Sequence, residues 1–120
     1  MAKYVDGFLL AVRKAKLPAY RKMSAKAGKI WMEYGALQYV ECIGDDLKIK
    51  GMSSSFPKQL KVKPGETVVF SWIAYKSKAQ RNAVNKKVMT DPRMANFDPA
   101  TMPFDMKRML MGGFRAIVDK

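Results

Sequence analysis

The chain has 120 residues, 48% hydrophobic, 11% aromatic and 28% charged, enough for one domain with its own core and unlike a mostly disordered composition. A single cysteine, Cys42, and no histidine exclude an internal disulfide, a multi-cysteine metal centre, Ser–His–Asp or Cys–His catalysis, His-ligated zinc and the usual haem ligation. The formal charge is +13, and 17 of the 23 basic residues are lysine, scattered along the chain. Lysine lacks the planar fork of arginine, so any nucleic-acid binding is expected to be weak, non-specific and governed by salt.

Residues 4–12 (YVDGFLLAV) are expected to form a strand. The apolar run here is short, Asp6 lies just upstream and no stretch of 18 apolar residues occurs anywhere, so neither a cleaved leader nor a membrane span is expected. With one cysteine, the expected compartment is the cytoplasm. From Leu17, with Pro18 in the first turn, apolar residues recur at Tyr20, Met23, Ala27, Ile30, Trp31 and Tyr34. That spacing predicts a helix over 17–34, with Lys22, Lys26, Lys29 and Glu33 on its solvated face and Gly35 as its left-handed cap. A second strand is expected over 36–43 (ALQYVECI).

Residues 46–65 are irregular, with Gly51, three serines, Pro57, Pro64 and five lysines, and at most a short element around 59–62. Lys48, Lys50, Lys58, Lys61 and Lys63 are the expected contacts for any polyanion. The β-branched and aromatic run 66–75 (ETVVFSWIAY) is the clearest strand. Ser77 and Gln80 fit a capping box opening a helix to about residue 90, with Ala79, Ala83, Val84 and Val88 inward and Asp91-Pro92 as its stop. A loop over 94–103 leads to a last strand over 108–119, where Gly112-Gly113 predicts a bulge or a close backbone approach.

The order β-α-β, long loop, β-α-β predicts an α+β, ferredoxin-like βαββαβ domain spanning 1–120: a four-stranded antiparallel sheet with two helices on one face. Along the third strand, Val68, Phe70, Trp72 and Ala74 alternate with Val69, Ser71, Ile73 and Tyr75, so both faces are substantially apolar. The face without helices needs a cover, and the simplest one is a second copy of the chain in a twofold homodimer.

The stretches YVDGF (4–8), GALQYVE (35–41), ETVVFSWIAY (66–75), NAVNKKVMTDPR (82–93), MPFDMKRM (102–109) and GGF (112–114) resemble the YbaA-like family of small bacterial proteins, a domain of unknown function. The resemblance covers nearly the whole chain. It implies a dimeric α+β barrel, in which two ferredoxin-like chains pack sheet against sheet. That class includes haem-degrading and quinone-forming monooxygenases and isomerases, with sites between sheet and helices. The absent histidine disfavours the haem branch and leaves a small-molecule binder or a cofactor-independent oxygenase-like protein, with no cofactor and no metal.

An apolar pocket with few polar groups would draw its lining from Tyr4, Asp6, Trp31, Tyr34, Trp72, Asn82, Asn85, Phe104, Asp105 and Arg108. Asp6, a carboxylate inside an apolar strand, is the weak candidate for a general base; its bland reading is an ion pair with a cation such as Arg108, or a position facing water at a strand edge. Trp31 and Trp72 are candidates to stack a planar ligand, though aromatics more often fill cores. Asn82 and Asn85, three apart, are expected on one helical face. The methionines at 102, 106, 109 and 111 are expected to pack adaptably. The competing functions are a non-specific nucleic-acid-binding basic protein and an interaction or structural protein without catalysis.

Overall fold

The structure, a computed structural model, describes residues 3–95 and 101–120; the part of the expected loop at 96–100 lies outside them. Seven elements follow in chain order: β1 (Tyr4–Arg13), α1 (Leu17–Glu33), β2 (Gln38–Ile43), the single-turn α2 (Phe56–Gln59), β3 (Glu66–Tyr75), α3 (Lys78–Met89) and β4 (Leu110–Arg115). The strands form one antiparallel sheet in the order β2-β3-β1-β4, the ferredoxin-like arrangement, with the two ten-residue strands β1 and β3 at its centre.

The period of two along each strand fixes which side chains meet the helices. Asp6, Phe8, Leu10 and Val12 of β1 share a face with Val69, Ser71, Ile73 and Tyr75 of β3 and with Tyr39, Glu41 and Ile43 of β2, by direct register. Leu10, Val12, Val69 and Tyr20 form one buried cluster; Ile30, Ala36, Ile73, Tyr75, Val84 and Val88 form another under α1 and α3. The apolar stripe of α1 is buried through Tyr20, Ser24, Ala27, Gly28 and Ile30. The helix ends as its spacing predicts: Gly35 adopts φ 109° and the Ala36 N–H bonds back to the Trp31 carbonyl at 3.1 Å.

The opposite face carries Val5, Leu9, Phe70, Trp72, Val40, Cys42, Leu110 and Phe114. One end of it is covered from within the chain. Leu60, in the turn that α2 begins, buries against Ala11 and Val68, with Leu47 and Val62 packed alongside. The remainder is open: Phe70 is 45% exposed, Leu110 57% and Phe114 62%.

Several expectations need correction. The last strand spans Leu110–Arg115, because residues 106–108 turn as a 3-10 helix capped by Asp105. Gly112 and Gly113 stay in register with Gly7 and Asp6, so there is no bulge; a Cβ at Gly113 would collide with the Tyr4 hydroxyl and the Arg81 guanidinium, which makes it a close approach. Ala79 and Ala83 are exposed, and the inward polar positions of α3 are Arg81 and Asn85 instead. The Ser77 hydroxyl caps the Gln80 N–H at 3.2 Å, but the Gln80 side chain accepts from Lys76 N–H at 2.6 Å and donates to the Gly35 carbonyl at 2.9 Å. It thereby ties α3 to the end of α1 instead of closing a reciprocal box.

Candidate functional site

The ten candidate side chains do not gather in one place. Tyr4, Asp6, Trp31 and Asn85 meet in one network under the sheet. Asp6 is buried, and its Oδ1 lies 3.2 Å from Arg81 Nε. That nitrogen makes no well-aligned hydrogen bond, so the contact is an ion pair without a directed bond. The partner is Arg81 of α3, not Arg108, because the register of β1 points Asp6 at α3. Arg81 also donates from Nη2 to the Tyr4 hydroxyl at 3.0 Å and lies 4.8 Å above the Tyr4 ring. Beside them, Asn85 Oδ1 accepts from Trp31 Nε1 at 3.1 Å and from the Tyr75 hydroxyl at 3.2 Å. Burial, reinforced by the charge of Asp6, pushes the Tyr75 phenol well above its ordinary range, so it stays a donor. Asn82 does not share this face; it is exposed and accepts from Arg81 Nη1 at 3.1 Å.

The other candidates brace the fold. The Tyr34 hydroxyl donates to Asp91 Oδ2 at 2.7 Å, and Arg93 spans Asp91 and Glu33 at 3.0 and 2.7 Å, which locks the ends of α1 and α3 together. The hydrogen bond to Asp91 is the leading reason that the Tyr34 phenol is raised. Arg108 forms a fork on Glu66, at 2.9 and 2.5 Å, and reaches Asp105 at 3.2 Å. Hydrogen bonding to Arg108 holds the Glu66 carboxyl down at about 2, with the Lys63 N–H assisting. Trp72 lies on the open face, 5.8 Å from Phe70, with its indole donating to Gln38 at 3.2 Å; it cannot sandwich a ring with Trp31, whose indole bonds to Asn85 on the helix side.

Phe104 belongs to a different place. Its ring meets Tyr20 edge-on at 5.8 Å, and its backbone bridges Val12. Both rings line a cavity of about 340 Å³ between the sheet and α1. Phe8, Leu10, Ala27, Trp31 and Ile73 form its walls with Met23, Met89, Met94, Met102, Met106 and Met109. Unbranched thioethers suit a pocket whose shape must adapt.

Besides Ser24 and Ser71, that wall carries a carboxylate that the sequence reasoning passed over. Glu41 of β2 accepts from the Tyr20 hydroxyl through Oε2 at 2.7 Å and from the Tyr39 hydroxyl through Oε1 at 3.1 Å. Burial is the main cause that raises both phenols above their usual range, followed by the charge of Glu41; a contact with the Ser24 hydroxyl works the other way. Gly28 makes the arrangement possible. A Cβ there would stand 2.6 Å from Tyr39 Cδ1 and 2.8 Å from its Cε1, so only glycine lets the ring lie against the backbone of α1. The signal was available: Tyr20 stands in the inward stripe of α1, and Glu41 is a carboxylate in an apolar strand, as Asp6 is.

Among the described residues, no cluster of three or more His, Cys, Asp or Glu side chains is placed to hold a metal ion, and no helix is long and apolar enough to cross a membrane. The lysines at 48, 50, 58, 61 and 63 are all exposed.

Residues 3–106 match the family described as protein of unknown function DUF1428. The chain belongs to that family. It is 50% identical over 118 residues to the uncharacterized protein YbaA of Escherichia coli strain K12, covering 98% of this chain and 99% of that one, and equally to the YbaA of Shigella flexneri. Among solved structures it is similar to a dimeric ferredoxin-like protein from an uncultured marine organism, with TM-score 0.63, 12% identity and 100% of both chains covered. It is also similar to a candidate antibiotic biosynthesis monooxygenase from Bacillus cereus, with TM-score 0.57, 9% identity and 100% and 98% coverage. A NIPSNAP domain protein from Burkholderia xenovorans aligns with TM-score 0.52 and 16% identity, over 92% of this chain and 91% of that one. At these identities the structural likeness speaks for the fold alone.

Proposed function

We propose that this protein is a homodimer that binds a small, largely apolar molecule in the cavity between its sheet and α1. The observation that carries the reading is the cavity itself: apolar and aromatic walls, adaptable methionines, and a carboxylate held in place at one side. Specific sites for small molecules have this composition, with few polar groups fixing orientation and apolar walls supplying affinity. Dimerisation is supported by the open face, where Phe70, Leu110 and Phe114 expose large apolar surface that a second sheet would cover. The dimeric ferredoxin-like neighbour supports that occupant. The reading places the protein in the cytoplasm, on its one unpaired cysteine.

A second reading, cofactor-independent oxygenase-like chemistry in the same cavity, is favoured by the likeness of fold to the candidate monooxygenase from Bacillus cereus. The test of the first reading is a cavity-filling variant. Ala27→Trp should abolish the thermal stabilisation that a neutral bicyclic aromatic probe gives the parent protein. Equal stabilisation of both proteins would place the binding elsewhere. Oxygen uptake in the presence of a bound probe separates the oxygenase reading from simple binding.

A further inference from the structure

The acids that the fold withdraws from solvent are treated in two ways. Asp6, Glu66 and Asp91 each face an arginine. Glu41, half-buried, has no cation partner among the described residues and is held by two phenols instead. In a chain of charge +13 that is an unusual way to keep a carboxylate. An ionised carboxylate offers about four lone-pair directions, and Tyr20 and Tyr39 use two. Both phenols are held protonated and spend their protons on Glu41, and the Ser24 hydroxyl is engaged with the same two phenols, so what remains on Glu41 at this end of the cavity is an acceptor.

We infer that Glu41, clamped by Tyr20 and Tyr39, is the recognition point for the hydroxyl group of a compact aromatic alcohol bound in the cavity. The inference rests on the proposed function, because it needs the cavity to be a binding site. A ligand carboxylate or phosphate is excluded by the charge of Glu41. An ammonium group is disfavoured by Arg21, Lys22 and Lys29, which line the adjoining depression that shares Tyr20, Ser24, Tyr39 and Glu41. A neutral hydroxyl meets neither objection, and an aromatic hydroxyl is the better donor to a charged acceptor. The ring is recognised by Phe8, Trp31 and Phe104 and by thioether contacts from Met23 and Met109. A volume of about 340 Å³ lies at the small end of ligand sites and suits one or two fused rings.

The test compares 2-naphthol with naphthalene, which has the same rings without the hydroxyl, by fluorescence titration of the parent protein and of Glu41→Gln. The parent is expected to prefer naphthol by roughly 10- to 100-fold, the usual range for a hydrogen bond to a charged acceptor. Glu41→Gln keeps only a neutral acceptor and should lose most of that preference. Equal binding of both probes to the parent overturns the role of Glu41 while leaving the cavity reading intact. Binding of neither overturns the cavity reading itself. A preference for naphthol that is undiminished in a folded Glu41→Gln protein also refutes the assignment. Should Glu41→Gln fail to fold, Tyr20→Phe takes its place, with a weakened preference expected and an unchanged one refuting.

Discussion

Replacing Gly28 by alanine sets two effects of opposite sign against each other. In the interior of α1, alanine is favoured over glycine by up to about 1 kcal/mol, through backbone entropy. Against this, the new methyl would stand 2.6, 2.8 and 3.1 Å from three atoms of the Tyr39 ring. The ring cannot swing aside freely. Its hydroxyl is bonded to Glu41 at 3.1 Å, and its ring centroid lies 6.0 Å from that of Trp31. Overpacking of this kind costs about 1–3 kcal/mol. The expected net result is a loss of about 1 kcal/mol, with a melting temperature lower by a few degrees. Urea unfolding at one fixed protein concentration measures it, since the stability of the proposed dimer would depend on concentration. In a Tyr39→Ala background the clash is gone, and Gly28→Ala should become neutral or stabilising. The coupling between the two positions is expected at about 1–3 kcal/mol. A Gly28→Ala protein that melts at or above the parent temperature, with no coupling to Tyr39, would refute the packing described for this wall of the cavity.

Three further substitutions probe the rest of the structure. Asp6→Asn removes the charge opposite Arg81, whose side chain is only 24% exposed, and should cost about 1–3 kcal/mol in denaturant unfolding while leaving naphthol affinity unchanged; loss of binding without loss of stability would give Asp6 the functional role instead. Phe114→Glu places a charge on the open sheet face and should convert the protein to a monomer in sedimentation at micromolar concentration; an unperturbed dimer would mean that this face is not the interface. Glu66 is held at about 2, chiefly by Arg108, so its folded value lies below that of the unfolded chain. Its contribution is present above the ordinary carboxylate range and is lost as pH falls through that range towards 2. Glu66→Gln should flatten the acid limb of stability between about pH 5 and pH 2, and an unchanged limb would contradict the pairing.

The parts of the fold that local chemistry determines were legible in the sequence. The periodicity of α1, the cap at Gly35 and the β-branched run of β3 each required nothing beyond neighbouring residues. The open face followed from alternation, since Phe70 and Trp72 stand opposite Ser71 and Ile73. The failures lie where tertiary partners decide. Alanine is compatible with either face of a helix, so Ala79 and Ala83 carried no direction, whereas Arg81 turns inward because Asp6 and Tyr4 wait beneath it. The end of β1 meets a 3-10 turn instead of the start of β4, because Asp105 caps the backbone at 107 and Arg108 is drawn to Glu66. The candidate site was half visible. Trp31, Trp72 and Phe104 border the cavity, Asp6 lies beside Arg81, and Glu41, which the sequence reading did not single out, stands in the cavity wall. Both acids stand in apolar strands, and what distinguishes them is the helix packed over each: Asp6 meets Arg81 of α3, whereas Glu41 meets Tyr20 of α1 and Tyr39 of its own strand.

A crystal structure of the protein grown with 2-naphthol tests the central claim most directly. The expected result is a bicyclic ring seated between Tyr20, Trp31 and Phe104, with its oxygen about 2.6–3.0 Å from the Glu41 carboxylate. A cavity without the ring, or a ring seated on the open sheet face beside Phe70 and Phe114, would contradict it.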